Sequence, residues 1–334
     1  MNEPNLSVLP TARDVDAAAA VLAKVAVRTP LLHSPALDAM TGARLLFKPE
    51  MLQRTGSFKF RGAYNKIAAI PEAARGSGVV AFSSGNHAQG VAAAAQLFGM
   101  PATIVMPSDA PLSKRTRTQR YGAELVLYDR DREDREAIAR RIAHERGAVL
   151  VPPFDDALII AGQGTVGREI AEDMAARGEV PDVVIAPASG GGLMAGVALA
   201  VKARFPDARL VTAEPAGFDD HARSLKSRRR EPHRAEGRTI CDALMASIPG
   251  ELTFAINREL VSQGVTATDA EVAAAMTAAF NELKLVVEPG GAVALAAVLA
   301  GAVAARGKTV VVVLSGGNVD ADLYARLIDG TRKT

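Results

Sequence analysis

The chain has 334 residues, of which 49 % are hydrophobic and 23 % are charged. This is the composition of a globular protein long enough for two domains. Its 39 basic and 37 acidic residues give a formal net charge of +2, so no overall field favours a nucleic-acid partner. The single cysteine excludes an internal disulfide framework. No secretory signal is visible, and the longest weakly apolar run, 290–305, is shorter than the roughly 20 residues that span a bilayer. We therefore expect a cytoplasmic protein with neither membrane nor nucleic-acid partners.

Short β-rich runs alternate with helical patterns along most of the chain. The predicted strands are 79–83, 102–106, 124–128, 183–186, 210–213 and 309–314. The predicted helices are 87–98, 113–120, 132–146, 164–176, 194–203, 270–282 and 292–304. This alternation is typical of βαβ units, and the continuous apolar strands are typical of strands covered on both faces. The sequence therefore predicts an α/β protein with open, mostly parallel sheets and helices on both faces.

Lys59 lies between Phe58 and Phe60, an unusual setting for a solvated lysine. An apolar environment disfavours the ammonium and lowers the pKa of the amine. A neutral lysine amine can form a Schiff base with a carbonyl compound. The alternative is an ordinary lysine whose stem is packed and whose ammonium reaches water.

Three glycine-rich turns, at 83–90, 189–193 and 315–318, each follow a predicted strand. Backbone N–H groups in such turns suit anions such as carboxylates and phosphates. Taken alone, each turn favours the interpretation as a tight strand-to-helix connection. The turn at 189–193 has neither the lysine of a nucleotide-binding P-loop nor the glycine spacing of a dinucleotide fingerprint. Together with Lys59, the three turns predict a site for a phosphorylated aldehyde.

Five sequence motifs occur in one order. They are Gly-Ser-Phe-Lys-Phe-Arg-Gly-Ala (56–63), Ser-Ser-Gly-Asn-His-Ala-Gln-Gly (83–90), Ser-Gly-Gly-Gly-Leu (189–193), Glu-Pro-Gly-Gly-Ala (288–292) and Ser-Gly-Gly-Asn (315–318). In this order they resemble the serine/threonine dehydratase and serine racemase family of fold-type II, pyridoxal 5′-phosphate (PLP) dependent enzymes, which have a tryptophan synthase β-like fold. The resemblance covers about residues 29–320. It implies a large PLP-binding domain (1–70 and 154–330), a small domain (71–153) that closes over the substrate, and a homodimer.

The resemblance also implies roles for individual residues. Lys59 is expected to form the Schiff base and to remove the Cα proton, Asn86 to bond the 3′ oxygen of PLP, and Ser315 to face the pyridine nitrogen. The residues expected to hold the phosphate are Gly190, Gly191, Gly192 and Leu193. Those expected to bind the substrate carboxylate are Ser84, Gly85, Asn86 and His87. A serine facing the ring nitrogen protonates it less than an aspartate would, which favours β-elimination over transamination.

These roles imply an ammonia-lyase that converts a small β-hydroxy amino acid to a 2-oxo acid and ammonia. The candidate substrates are serine, threonine and 3-hydroxyaspartate. Ser84 opens an alternative, because in racemases of the family a serine at this position is the acid or base on the face opposite the lysine. A role for Ser84 in carboxylate binding is equally open. An alternative of another class is a non-catalytic small-molecule binding protein on the same fold.

Glu214 and Asp220 follow a predicted strand and supply two carboxylates. In metal-bearing members of the family, the resemblance implies that they and the carbonyl of Phe218 bind a divalent cation, Mg²⁺, Mn²⁺ or Ca²⁺. The alternative is an acidic loop at the end of a strand. The basic segment 223–238 is expected to be a solvated surface, with an anionic effector site as the less favoured interpretation.

Overall fold

The computed structural model describes residues 9–234 and 237–330, which contain two open sheets. In spatial order, the strands of the six-stranded sheet are β1 (Leu32–His33), β2 (Arg44–Pro49), β10 (Thr309–Leu314), β7 (Val183–Pro187), β8 (Arg209–Pro215) and β9 (Gln263–Ala267). Strand β1 is antiparallel to β2, and the other neighbouring pairs are parallel. The four-stranded sheet has the order β5 (Glu124–Tyr128), β4 (Ala102–Pro107), β3 (Val79–Phe82) and β6 (Val149–Leu150), all parallel.

Helices connect and cover these strands. In chain order they are α1 (Ala12–Leu22), α2 (Pro35–Thr41), α3 (Lys59–Ala68), α4 (Asn86–Leu97), α5 (Leu112–Gln119), α6 (Arg135–Arg146), α7 (Ala157–Ala176), α8 (Gly192–Arg204), α9 (Asp220–Ser227), α10 (Glu251–Leu260), α11 (Asp269–Ala278), α12 (Pro289–Leu299) and α13 (Ala321–Gly330). Short 3₁₀ turns lie at Glu50–Leu52, Arg54–Gly56, Glu72–Ser77 and Asp242–Leu244, and a π-helical turn at Ala279–Leu283 extends α11. None of the helices within the described ranges is long and apolar enough to cross a membrane.

The six predicted strands are present, and the fold is the predicted α/β class. The predictions missed β2, which pairs with β10 inside the larger sheet, and β9 at its edge. Lys48 interrupts the apolar pattern of β2, yet it is fully buried because its ammonium pairs with Glu169. The last predicted helix begins three residues earlier than expected, since Pro289 suits the first helical position.

Two cores lie on opposite faces of the larger sheet. Alternate residues of β10 separate them: Val310, Val312 and Leu314 pack on the side of α12, whereas Val311 and Val313 pack on the side of α7 and α8. This alternation follows from the two-residue period of a strand. Burial on both faces explains why β10 is a continuous apolar run.

Helix α7 crosses α3 at a contact between two glycines. A Cβ atom on Gly162 would lie 2.6 Å from Cα of Gly62 and 2.7 Å from the carbonyl oxygen of Arg61. The backbone at the start of α3 can therefore approach α7 only because neither position carries a side chain. Since Lys59 is the first residue of α3, this contact helps to place it.

We expect Gly162→Ala to destabilise the fold by about 1–3 kcal/mol, the usual cost of overpacking a close contact. The measurement is the urea concentration at half-unfolding, followed by circular dichroism. Gly76→Ala is the matched control, because a Cβ there would meet no atom within 4 Å. Equal midpoints for the two variants would contradict the packing argument.

Candidate active site

One cleft of about 330 Å³ lies between the two sheets, beside the ends of β3, β7 and β10. Ligands of open α/β sheets bind at the carboxyl ends of the strands. The cleft is lined by the residues predicted for catalysis, cofactor binding and substrate binding, namely Lys59, Ser84, Gly85, Asn86, His87, Gly190, Gly191, Gly192, Leu193 and Ser315. Residues that lie up to 256 positions apart in the sequence are therefore brought into one site, and their individual roles stay predictions.

Lys59 begins α3, and its side chain borders the cleft. Its Nζ donates a hydrogen bond to the carbonyl oxygen of Pro153 at 2.6 Å and lies 5.2 Å from the centre of the Phe58 ring. None of the carboxylates in the described ranges pairs with this ammonium. Burial therefore lowers the pKa of Lys59 to about 8. The amine is poised to act as a nucleophile or base near neutral pH.

The glycine loop (residues 189–192) joins β7 to α8. Gly191 has a φ of +92°, and a Cβ on Gly190 would lie 2.3 Å from the Phe154 ring. Side chains are excluded from the loop, so its backbone is open to the cleft. The first N–H groups of a helix have no acceptor within the helix and attract anions. The loop therefore offers the backbone N–H groups that a phosphate requires. Together with the amine of Lys59, it fits PLP.

The side-chain amide of Asn86 is held in one orientation. Its Oδ1 accepts a hydrogen bond from Nδ2 of Asn318 at 2.8 Å, and its Nδ2 donates to Oε1 of Glu288 at 2.6 Å. This assignment follows from the hydrogen-bond network. The Nδ2 of Asn86 has a second hydrogen besides the one donated to Glu288, and an anionic oxygen in the cleft can accept it. Burial raises the pKa of Glu288 to about 8, so the Glu288 carboxyl beside the Asn86 amide carries a proton near neutral pH.

Ser84, Gly85 and His87 lie around the first turn of α4. The ring of His87 is buried, and its Nε2 bonds the carbonyl oxygen of Val151 at 2.9 Å. Burial, and then the nearby charge of Lys59, lower the pKa of His87 to about 3. His87 is therefore neutral and bound to the backbone, which favours a structural role for its ring.

The predicted cation ligands lie outside the cleft. Glu214 is fully buried, and its two oxygens accept the N–H groups of His221 at 2.9 Å and Ala222 at 2.7 Å. Oδ2 of Asp220 is buried and has no hydrogen-bond partner within the described ranges. Burial raises the pKa of both carboxyls, to about 6 for Asp220 and well above its usual range for Glu214, where Asp220 adds to the effect. Phe218 is buried and stacks on His233 with 5.3 Å between ring centres.

No group of three or more His, Cys, Asp or Glu side chains within residues 9–234 and 237–330 could hold a metal ion. The predicted site needs only two carboxylates and a carbonyl. An orphaned carboxylate oxygen beside a second buried carboxylate is the chemistry that a divalent cation satisfies. The residues thus fit a cation, although its presence stays a prediction.

Several site residues were missed by the sequence predictions. Pro153 supplies the carbonyl that binds Lys59, and Phe154 packs behind the glycine loop. In the sequence, this segment was only the predicted boundary between the small domain (71–153) and the second part of the large domain (154–330). Three cations, Lys114, Arg130 and Arg135, also border the cleft. Nothing in their local sequence distinguishes them from other surface arginines and lysines.

The basic segment 223–238 contains arginines that are largely paired. Arg223 contacts Asp219, Arg228 contacts Glu259 and Arg230 contacts Glu251. Residues 235 and 236 lie outside the described residues. In the part that is described, these ion pairs favour a solvated surface over an effector site.

Residues 22–316 match the model of the pyridoxal-phosphate dependent enzyme family. This chain belongs to that family. It is 45 % identical to L-threo-3-hydroxyaspartate ammonia-lyase of Pseudomonas sp. over 95 % of this chain and 98 % of that protein. It is 44 % identical to L-threonine ammonia-lyase of Thermotoga maritima over 96 % of this chain and 78 % of that protein.

Among solved structures, maize serine racemase superposes with a TM-score of 0.89 and 38 % identity, covering 97 % of this chain and 98 % of that one. The predicted family, the α/β fold and the PLP-dependent lyase class are confirmed by these similarities. The similarity to serine racemase is consistent with the alternative prediction of a racemase that uses Ser84.

We expect imine formation between the cofactor-free protein and pyridoxal to accelerate as the pH rises to about 8 and then to level off, because the pKa of Lys59 is lowered to about 8 and only the neutral amine attacks an aldehyde. The measurement is the rate at which the long-wavelength absorbance of the imine increases in a stopped-flow experiment. The control is Lys59→Ala, which retains every other lysine, including the buried Lys48 that is paired with Glu169. A rate that keeps rising to the pKa of a free lysine would contradict the desolvated setting.

Proposed function

We propose that this PLP-dependent enzyme is an ammonia-lyase for small β-hydroxy amino acids, with 3-hydroxyaspartate as its preferred substrate. The observation that carries the proposal is the placement of the Lys59 amine, the glycine loop and the first turn of α4 around one cleft. Cations at the edge of the same cleft support the choice of substrate. Serine and threonine are the alternative substrates.

Lys59 is the Schiff-base residue and the base in this proposal. Its lowered pKa makes the free amine available to take the Cα proton of the substrate. When bound, PLP supplies the electron sink that allows a proton to leave Cα. The β-hydroxyl then departs as water after receiving a proton, and the released enamine is hydrolysed to a 2-oxo acid and ammonia.

The other residues bind and orient. Asn86 donates to the 3′ oxygen of the cofactor, the glycine loop and Leu193 hold its phosphate, and Ser315 faces its ring nitrogen. The first turn of α4 binds the α-carboxylate of the substrate through Ser84, Gly85, Asn86 and His87. Helix α4 has 12 residues, and its free N–H groups carry a partial positive charge at this end.

Arg135 is the cation that supports a dicarboxylic substrate. Lys114 is paired with Asp242, and Arg130 binds Asp109 at 2.7 Å. Arg135 forms no ion pair with the described residues, and its guanidinium lies 5.8 Å from the centre of the Phe82 ring. It is therefore free to bind the second carboxylate of 3-hydroxyaspartate, which serine and threonine do not have.

We expect Arg135→Gln to lower kcat/KM for L-threo-3-hydroxyaspartate by about 10- to 100-fold, the equivalent of one charge-assisted hydrogen bond. The value for serine should change little, because serine has no second carboxylate. The measurement is 2-oxo acid release with each substrate. Lys59→Ala should abolish release from all of them.

Arg130→Gln is the matched control, since it removes the same charge from a residue already held by Asp109. For Arg130→Gln, the ratio of kcat/KM for L-threo-3-hydroxyaspartate to kcat/KM for serine should stay within about twofold of the wild-type ratio. A ratio unchanged by Arg135→Gln would reject 3-hydroxyaspartate recognition by this residue. Protein that gives no imine absorption with PLP would instead support the non-catalytic binding protein.

A racemase activity is the second candidate, because Ser84 lines the same cleft as Lys59. In that case Lys59 takes the Cα proton and Ser84 returns one from the other face. Chiral chromatography of incubations with L-serine distinguishes the two, since only a racemase accumulates D-serine. Loss of D-serine in Ser84→Ala, with 2-oxo acid release retained, would assign the second proton transfer to Ser84.

We also propose that Glu214, Asp220 and the carbonyl of Phe218 bind a divalent cation. The two buried carboxylates repel each other, and a cation between them would remove that repulsion. The cation would then have a structural role beside the loop that leads to α9. The alternative is a pair of carboxyls that stay protonated.

We expect a chelator to lower the melting temperature and Mg²⁺ or Mn²⁺ to restore it. A ligand at 100 times its Kd stabilises by about 2.7 kcal/mol, equivalent to several degrees. The effect should be larger above pH 6, where the Asp220 carboxyl with its pKa of about 6 is ionised, than below it. Differential scanning calorimetry at pH 5.5 and 8 provides the measurement. Asp220→Asn is the control, and its melting temperature should not respond to either treatment.

We propose a division into two domains, because different parts of the chain line the two sides of the cleft. Residues 71–153 contain the smaller sheet and contribute the substrate-binding turn, whereas 1–70 and 154–330 contribute Lys59, the glycine loop and Ser315. Such an arrangement allows the smaller domain to close over the substrate and exclude water. A homodimer and a cytoplasmic location complete the proposal.

A further inference from the structure

The glycine loop is held from behind by helix α10. Oγ1 of Thr253 donates a hydrogen bond to the carbonyl oxygen of Gly190 at 2.5 Å. Nδ2 of Asn257 donates to the carbonyl oxygen of Gly191 at 3.1 Å. Thr253 and Asn257 are fully buried, and neither of them borders the cleft. Two successive carbonyls of the loop are therefore directed away from the cleft.

The direction of these carbonyls determines the direction of the next N–H groups. In a trans peptide the C=O and the N–H point to opposite sides of the peptide plane. A Gly190 carbonyl that points to Thr253 places the N–H of Gly191 on the opposite side. The same holds for the carbonyl of Gly191 and the N–H of Gly192. Because these glycines line the cleft, both N–H groups are turned towards it.

The orientation of the Asn257 amide is itself fixed. Its Nδ2 lies 3.1 Å from Nε2 of His221 as well as 3.1 Å from the carbonyl oxygen of Gly191. An amide nitrogen with two hydrogens can donate to both, provided that Nε2 of His221 is the unprotonated ring nitrogen. A flipped amide would place its oxygen against the Gly191 carbonyl.

Helix α10 is anchored to the segment that also contacts Lys59. The carboxylate of Asp155 accepts the N–H groups of Glu251 at 2.8 Å, Leu252 at 2.9 Å and Thr253 at 3.2 Å. Asp155 follows Phe154, whose ring packs against Gly190. The backing residues are thus fixed relative to both the loop and the lysine.

We propose that Thr253 and Asn257 are positioning residues for the phosphate of the cofactor: they set the two peptide planes of the glycine loop so that the N–H groups of Gly191 and Gly192 face the anion. This inference rests on the proposed function, in which the loop binds that phosphate. Neither residue touches the cofactor. Their contribution is the preorganisation of donors that would otherwise have to turn when the anion binds.

The test is the dissociation constant of cofactor-free protein for PLP and for pyridoxal, which lacks the phosphate, measured by absorbance titration. Thr253→Val is nearly isosteric and removes the donor. It should weaken PLP binding by about three- to tenfold, as for one neutral hydrogen bond, and leave pyridoxal binding unchanged. The loss is moderate because the carbonyl of Gly190 also accepts the N–H of Gly250. Asn257→Leu should act in the same direction and also moderately, because the carbonyl of Gly191 accepts the N–H of Ala195 at 3.0 Å as well.

Two variants control for side effects. Thr253→Ser retains the hydroxyl and should restore PLP affinity towards the wild type. Thr212→Val makes the same substitution at a fully buried threonine of β8 whose hydroxyl has no partner among the described residues, so both affinities should be unchanged. Melting temperatures of the four variants show whether each one is folded.

The possible results separate the proposal from the function on which it rests. Equal weakening of PLP and pyridoxal by Thr253→Val, or no weakening of either, would overturn the positioning role alone. If wild-type protein bound pyridoxal as tightly as PLP, the loop would not be a phosphate site, and both the assignment and this inference would fall. A selective loss of PLP affinity in Thr253→Val, with rescue by Thr253→Ser, would establish it.

Discussion

The placement of Lys59 depends on a buried cluster of four charges. Arg61, two residues after Lys59, is fully buried and bonds Glu50 at 2.8 Å and Glu169 at 2.7 Å. Glu169 also pairs with Lys48 at 2.5 Å. Removing one member of such a cluster leaves an unpaired buried charge and costs about 3–5 kcal/mol. The cluster therefore joins the start of α3 to β2 and α7 in one arrangement, and the side chain of Lys59 leaves the helix at a fixed point beside the cleft.

The same cluster explains why we propose Lys59 rather than Lys48 as the reactive amine. Both lysines lie in apolar surroundings, but Lys48 has a carboxylate partner that stabilises its ammonium. Within the described ranges, the hydrogen-bond partner of Lys59 is the carbonyl of Pro153, which offers a partial charge and not a full negative one. Desolvation without a compensating anion favours the neutral amine. In the proposed function, burial therefore yields a neutral amine only where no carboxylate stabilises the ammonium.

Sequence patterns predicted the elements and turns whose signal is local. Continuous apolar runs revealed six strands, and the glycines revealed the loops that line the cleft. The patterns failed where a structural feature depends on a residue far away in the sequence. Strand β2 contains Lys48, whose buried ammonium is stabilised by Glu169, and Glu169 lies 121 positions further along the chain. The hydrogen bonds that hold the glycine loop from behind could not be predicted for the same reason. Thr253 and Asn257 lie 63 and 66 positions from the carbonyls that they bind. Neither residue type has a pattern that announces such a contact.

The cleft combines two sets of residues that differ in how freely they can change. Lys59 and the glycine loop are held by buried contacts in which each member depends on others, so a substitution there disturbs the fold as well as the chemistry. Arg135 is exposed and unpaired within the described residues, and its replacement leaves no buried group unsatisfied. Under the proposed function, substrate preference can therefore shift by exchange of residues such as Arg135, at the start of α6, at little cost in stability. In that proposal, a single PLP site can serve β-hydroxy amino acids with different side chains, because recognition of the side chain and activation of Cα are assigned to separate parts of the structure.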